Sequence, residues 1–365
     1  MDKIKEFGAR IQRLINKEDL SRNETYEMFR EVFLNEQPDL HQGAFLAALV
    51  AKGETVDEIA GAWAAIDEFD TVHASGDIPG PLVENSGTGM DRLKTFNVSS
   101  ASAVVAASAG ARMARHGARA LTSACGTVDI LEAVGLDVEC DVPLVEKSIR
   151  ETGIGLFNGM SPAVHPGALG RILSQIRFGS TLNIAASLAN PARPTHALRG
   201  VYADSLLEPA TAFMKEIGYE RTMLVYGTDA ESGYGMDEIS VCGKTRVLHR
   251  QNGSTESFDL EPEDMGIVRV SFEEIATSGD LETEARRFVS VIAGNGSRAC
   301  TEFVCANSAG ILFVAGLVDS LVEGVRMSRD ALESGKALEK LRQWIAVQNR
   351  QPEEGPARLD SLLNG

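Results

Sequence analysis

A single change of pattern, at residues 74–81 (ASGDIPGP), decides what this chain can fold into: the sequence before it has helical periodicity only, and the sequence after it alternates. Residues 1–73 therefore read as a small all-helical domain. The opening MDKIKEFGARIQRLINKEDL is an amphipathic helix, and residues 20–34 place Ser21 as a candidate N-cap with Glu24 three positions on. Residues 41–52 are an Ala/Leu-rich helix, and residues 55–69 (TVDEIAGAWAAIDEF) repeat the cap-plus-acid pattern. Residues 74–81 form a hinge or linker. Beyond it, apolar runs such as ASAVVAAS, LDVEC, TMLVYGT and GILFVAG alternate with helical stretches, which predicts a larger α/β domain over 82–350 with a mostly parallel sheet. The polar tail, 351–365, has two prolines and is expected to be mobile.

Composition narrows the function classes. With 365 residues the chain can bury a large core. A net charge of −17, from 35 Lys+Arg against 52 Asp+Glu, opposes long-range attraction to nucleic acid or an anionic membrane. No run approaches the roughly 20 apolar residues of a membrane span, and the N-terminal helix lacks the apolar core of a signal peptide. Cys125, Cys140, Cys242, Cys300 and Cys305 are odd in number and form no CxxC pair, so buried, reduced thiols and a cytoplasmic location are expected.

The chemistry concentrates in residues 86–100, SGTGMDRLKTFNVSS. Gly87, Thr88 and Gly89 form a turn that lets backbone approach an anion. Asn97, Ser99 and Ser100 add donors at the start of a helix read through ASAVVAASAGARMA, where free N–H groups favour negative charge. Asp91 makes sense beside phosphates when a cation or a hydroxylated sugar lies between them, which suggests a sugar phosphate with a metal. A second turn follows one helix length later: Arg115, His116, Gly117, Ala118 and Arg119, then Thr122, Ser123, Ala124, Cys125, Gly126, Thr127, Val128 and Asp129. Farther on, Asp237 and Glu238 are adjacent carboxylates after a predicted strand and a polar loop, a pairing suited to a hard cation.

In order, SGTGMD, KTFNVSS, RHGAR, SACGTVDILEAVG, SLANPA, GMDEIS and ESGKALEKL resemble the motifs of the anthranilate phosphoribosyltransferase family, over most of the chain. The resemblance implies a helical domain plus a nucleoside phosphorylase/phosphoribosyltransferase-like α/β domain, with residues 167–189 returning to the helical domain and homodimers formed through it. It implies transfer of a phosphoribosyl group from 5-phosphoribosyl 1-pyrophosphate (PRPP) to anthranilate or a related aromatic amine, assisted by Mg2+. The PRPP residues would be Gly87, Thr88, Gly89, Asp91, Asn97, Ser99, Ser100, Arg115 and Thr127. Asp237, Glu238 and Ser99 would serve the metal, and His116, Gly117, Ala118, His165 and Gln175 the acceptor. An aromatic amine is neutral at pH 7 and already nucleophilic, so no acid–base residue is assigned.

The departures from the family pattern are chemical. Arg115 and Thr127 stand where Lys and Ser are usual, keeping the charge and the hydroxyl. Met90 and Arg92 stand where glycines are usual, and Met90 is tolerable only if its φ is negative. Ala118 replaces an Asn, Ala186-Ser187 a Gly-Pro pair, and Gln175 an Arg that would pair with the acceptor's carboxylate. Arg171 or Arg177, on the same predicted helix, would supply that charge in a shifted register; otherwise the acceptor lacks a carboxylate. His116 lines the acceptor pocket or makes an orienting bond to backbone, and Arg119 contacts ligand or pairs with Asp129. His41, His73, His196 and His249 show no metal-ligand spacing and are assigned to surface or packing. Two other readings stay open: a silent paralogue kept for binding, nucleic acid included, and a nucleoside phosphorylase. The charge opposes nucleic acid, the Asp237-Glu238 pair opposes silence, and the longer glycine-rich signature of a phosphorylase is not found.

Overall fold

The computed structural model describes residues 3–76, 78–119, 125–176 and 178–364. Four helices open the chain: α1 (Lys3–Ile15), α2 (Arg22–Phe33), α3 (Asp39–Lys52) and α4 (Val56–Phe69). Two of them start on reciprocal caps. The Glu24 amide donates to Ser21 Oγ at 3.3 Å and the Ser21 amide to Glu24 Oε2 at 2.9 Å; Glu58 and Thr55 repeat the exchange at 3.2 and 2.8 Å. Phe7, Leu14, Phe29 and Phe45 fill the space between these helices, with the Phe29 and Phe45 rings edge-to-face at 4.9 Å.

The remainder winds a sheet with helices on both faces. Strands β1 (Leu82–Gly87), β2 (Arg112–Gly117), β3 (Ile154–Asn158), β4 (His196–Gly200) and β5 (Arg221–Thr228) are parallel, in the order β3-β2-β1-β4-β5. The short β6 (Gly235–Met236), β7 (Thr245–Gln251) and β8 (Ser254–Leu260) add antiparallel pairs beyond β5. Between the early strands run α5 (Val98–Ser108), α6 (Thr127–Ala133) and α7 (Val142–Thr152), then α8 (Ala168–Ile176), α9 (Thr181–Ala186) and α10 (Leu207–Glu216). After the sheet come α11 (Phe272–Ile275), α12 (Leu281–Ile292), α13 (Arg298–Val314), α14 (Leu321–Glu333), α15 (Lys336–Val347) and α16 (Glu354–Asn364).

Two large apolar clusters divide most of the molecule, and a third, smaller one packs α7 against β2 and β3 through Ala114, Val145, Ile149 and Phe157. One of the large pair joins a sheet face (Val83, Met113, Leu198, Met223) to α5 and α12–α16. The other joins the opposite face (Ala197, Leu224, Leu248) to α10 and the N-terminal helices, and it takes in Leu169, Ile172, Leu182 and Ala185 of α8 and α9. Asp70 locks that return: its carboxylate accepts the Ala168 and Leu169 amides at 3.0 and 2.7 Å, at the start of α8. Trp63 Nε1 donates to the Leu188 carbonyl at 2.9 Å on the far side.

Several expectations are corrected. Of the four apolar runs, only TMLVYGT is a strand; ASAVVAAS lies in α5, GILFVAG closes α13, and LDVEC has no regular structure. Helices buried on every side lose the polar face that would mark their period, which explains the first two. The helix read through ASAVVAASAGARMA stops at Ser108, where Gly110 (φ 105°) turns the chain into β2. The tail is no mobile segment: α16 buries Leu359 and Leu362 against the main core. Asp77 of the hinge lies outside the described residues. The five cysteines are free thiols, four of them buried, with Cys125 half-buried. No helix among the described residues is long and apolar enough to cross a membrane.

Candidate active site

Strand order reverses between β1 and β4, and open α/β sheets bind ligands outside the carboxyl ends of the strands at such a switch point. Here those ends are Gly87 and Gly200. Both must be glycine because the Asp237 loop folds directly onto them: a Cβ at Gly87 would collide with the Asp237 carboxylate, and one at Gly200 with the Asp237 carbonyl. The Gly89 amide donates to Asp237 Oδ2 at 2.6 Å, and the Thr88 amide to the Gly200 carbonyl at 3.0 Å. Thr88 Oγ1 accepts from the Tyr202 amide at 3.1 Å, so Thr88 braces the loop.

A cavity of about 210 Å³ opens above this junction, lined by Gly87, Gly89, Asp91, the segment 94–99, Thr127, Asp237 and Glu238. Its floor is the N-terminus of α5. Asn97 occupies the cap position without a side-chain capping bond, and its Oδ1 is buried and unpartnered. The helix N-terminus favours negative charge, while the unpartnered Asn97 Oδ1 is an acceptor that calls for a donor such as a sugar hydroxyl, a pairing that suits a sugar phosphate. Thr127 closes the side, its methyl against Gly117, where a Cβ would lie 2.9 Å from Thr127 Cγ2. Ser100 and Arg115 stand behind the wall instead. Arg115, 2% exposed, donates to Asn85 Oδ1 at 3.0 Å and to Ser100 Oγ at 2.8 Å. Burial pushes its guanidinium down to about 10, against the attraction of Glu238 and Glu84.

Three carboxylates converge on the cavity with one amine among them. Lys94 Nζ lies 2.8 Å from Asp91 Oδ1. Burial, then Asp91, push Asp237 up to about 6, and burial with Asp237 and Asp91 pushes Glu238 well above the usual carboxylate range. Crowded acids of this kind are relieved by a cation. Among the described residues no three His, Cys, Asp or Glu side chains are arranged to hold a metal by themselves. The set fits Mg2+, which takes one or two carboxylates and completes its shell with phosphate oxygens and water.

Comparison with known proteins covers most of the chain. Residues 79–338 match the glycosyl transferase family, a/b domain, and residues 10–69 its helical bundle domain. The anthranilate phosphoribosyltransferase of Anaeromyxobacter dehalogenans is 36% identical over 342 residues, 92% of this chain and 97% of its own length. The chain belongs to the anthranilate phosphoribosyltransferase family. Its fold superposes on the Thermus thermophilus enzyme with a TM-score of 0.81 at 28% identity, over 93% of this chain and 98% of that one. The Saccharomyces cerevisiae enzyme, solved in complex with PRPP and Mg, gives 0.81 at 23% identity over 94% and 97%.

On the acceptor side the residues singled out by resemblance to the anthranilate phosphoribosyltransferase family separate. His116 and His165 meet, Nε2 to Nε2 at 3.2 Å, and His165 Nδ1 lies 2.6 Å from the Asp70 carbonyl. Gly159 supports the pair, since a Cβ there would lie 2.7 Å from His116 Nε2. Burial, with repulsion from His165, lowers His116 to about 3, and burial lowers His165, so both rings are neutral. Ala118 and Gln175 are exposed. Arg171 is spent on the helical lobe, donating to Gln42 Oε1 at 3.1 Å and to the Val32 carbonyl at 2.9 Å. Arg177 lies outside the described residues, as do Thr122, Ser123 and Ala124. Arg119 pairs with Asp129 at 3.2 Å and Glu132 at 2.6 Å. Met90 does adopt a positive φ, 68°, and Arg92 stacks on the Tyr234 ring at 3.7 Å.

Sequence reasoning missed three residues of the cleft. Lys94 sits inside the KTFNVSS motif and was legible there. Thr277 reaches the cavity through the bridge of Thr95 to Ala276, which no local signal marks. Arg199, on β4, is a charge in the buried part of a central parallel strand, a signal in itself.

Proposed function

We propose that the chain transfers the 5-phosphoribosyl group of PRPP to an aromatic amine, anthranilate or a close relative, with Mg2+ at the donor. The observation that carries this reading is the cavity at the switch point, where an uncapped helix N-terminus with an orphaned Asn97 faces three crowded carboxylates. The α5 amides, Asn97, Ser99 and Thr127 would bind the phosphate oxygens, and Lys94 would add charge. Asp237 and Glu238 would hold Mg2+, with Ser99 beside them and phosphate oxygens and water completing the shell. When bound, the ion neutralises charge on the departing pyrophosphate. Arg115 acts from behind, fixing Ser100 and Asn85 and balancing Glu238.

The amine lone pair forms the new bond to the anomeric carbon, the carbon–oxygen bond to pyrophosphate breaks, and the amine proton passes to solvent. Positioning and electrostatics supply the acceleration. Neutral His116 and His165 shape the acceptor side without adding charge. Exposed Ile4, Ile15 and Leu40 on the N-terminal helices are suited to a homodimer contact, and five free thiols suit the reducing cytoplasm. The test is calorimetric titration of PRPP with and without Mg2+, followed by turnover with anthranilate. Mg2+-dependent binding is expected, and its absence would overturn the reading.

A further inference from the structure

Arg199 is a buried cation for which no ion-pair partner is found among the described residues. It is 4% exposed, yet its two hydrogen bonds go to neutral hydroxyls: Nη1 donates to Ser86 Oγ at 2.6 Å and Nη2 to Ser187 Oγ at 2.7 Å. Taking a guanidinium out of water costs several kcal/mol, and two bonds to hydroxyls return only part of that. Glu84 and Asp237 attract it, but neither makes an ion pair with it. Glu84, on the same face of β1, takes a hydrogen bond from Tyr219 at 2.6 Å and is pushed up to about 7 by burial despite the pull of Arg199. Asp237 is engaged by Gly89.

The position of this charge is informative. Register pairs Ser86 with Arg199 across β1 and β4, and the β1–β2 register that starts at Leu82 with Arg112 carries Ser86 abreast of His116. His116, Ser86 and Arg199 thus form one row at the carboxyl edge of the sheet, on the face turned to the helical lobe. Ser187, just past α9, meets that row from the lobe: its hydroxyl takes Arg199 and its carbonyl lies 3.5 Å from His116 Nδ1. The row stands apart from the donor cavity, whose lining does not include Arg199. Among the described residues the other acceptor-side candidates bring no free charge: Gln175 and Ala118 are neutral, the histidines are uncharged, and Arg171 is tied to Gln42.

We propose that Arg199 recognises a carboxylate on the acceptor. A planar guanidinium offers the two-pronged geometry a carboxylate takes, and the two serine hydroxyls hold the fork in place until the anion arrives. The proposal deepens the phosphoribosyltransferase reading and rests on it for the identity of the site. It also answers the departure at Gln175: the charge comes from the sheet, so the acceptor keeps its carboxylate.

The test compares anthranilate with 2-aminobenzamide, which has the same amine and no charge. The wild-type protein is expected to favour anthranilate in kcat/KM by about 10- to 150-fold, the range of one charge-assisted pair. Arg199→Gln should lose that preference through KM for anthranilate, change 2-aminobenzamide less than about threefold, and leave PRPP affinity untouched; Arg199→Lys should recover part of the preference. Equal loss for both acceptors, or weakened PRPP binding, would overturn the proposal. If Arg199→Gln does not fold, Arg199→Lys carries the test, since an anthranilate preference unchanged from wild type in that variant refutes the two-pronged role. Titration of benzoate, with and without PRPP and Mg2+, separates the two readings: missing PRPP binding rejects the enzyme, whereas benzoate binding equal in wild type and Arg199→Gln rejects only Arg199.

Discussion

The donor and acceptor sides of the cleft are built in opposite ways. The donor side is made largely of backbone and of one continuous segment, residues 87–99, braced by the distant loop at Asp237 and by residues 275–277. The acceptor side is assembled from side chains on separate elements: His116 on β2, Arg199 on β4, Ser187 after α9 and His165 before α8. Backbone amides and glycine clearances tolerate little substitution, so chemistry shared across a family resides there. Side chains gathered across a lobe junction can be exchanged one at a time: on the donor side Arg115 and Thr127 keep the charge and the hydroxyl of the family pattern, whereas on the acceptor side Ala118 and Gln175 lose the polar group or the charge.

The sharpest way to break the comparison is to remove the donor acids. Asp237→Ala with Glu238→Ala should lower Mg2+-dependent turnover about 100- to 1000-fold, the scale of losing a charge-stabilising group. Thermal stability should hold or rise, because two mutually repelling buried acids are gone. Unchanged turnover would discard the metal assignment and make the donor side as replaceable as the acceptor side.

A backbone-defined site should also resist a single methyl. Gly200→Ala drives a Cβ into the Asp237 carbonyl, and since the obstacle is backbone rather than a flexible side chain the expected cost is about 3 kcal/mol, at the upper end for overpacking. Urea denaturation reads the cost, and PRPP affinity should fall with it. A substitution tolerated at both readouts would show that the Asp237 loop shifts freely.

The acceptor side should respond to pH. Both histidines are held below their ordinary value, so the unfolded chain binds protons that the folded one refuses, and stability present above pH 6.5 is lost as pH falls toward the folded values. For His116, lowered to about 3, the loss by pH 5 is about 2 kcal/mol, set by the 1.5 units below the unfolded value. His116→Gln should flatten the acid limb of a urea-midpoint profile. An unaltered limb would place the pH dependence elsewhere.

Legibility in the sequence follows the same division. Ser21 with Glu24 and Thr55 with Glu58 were readable because a capping box is complete within four residues. The anion seat was readable because Gly87, Gly89, Asp91 and Asn97 lie on one segment, although which residues face the cavity was not: Ser99 points in and Ser100 points away to Arg115. The helices α13 and α16 escaped for opposite reasons. α13 is buried all round from Phe303 to Leu312 and so shows no clear period, while Pro352 and Pro356 disguise the amphipathic face of α16. Arg199 acquires meaning only from register, which sets it beside Ser86, and from the return of Ser187, 12 positions earlier in the chain.

The smallest expected effect tests whether the donor loop is strained or merely crowded. Met90 holds φ at 68° with its side chain 66% exposed, so packing returns little for a conformation that costs a non-glycine residue about 1 kcal/mol. Met90→Gly removes that cost but frees the unfolded chain, which leaves a net gain of roughly 0.5 kcal/mol. Met90→Ala keeps the Cβ, and with it the strain, while deleting the bulk. If strain dominates, the Gly variant alone gains in urea midpoint and the Ala variant does not. If both gain equally, the side chain and not the backbone is what the loop resists, and the donor side is more permissive than its glycines imply.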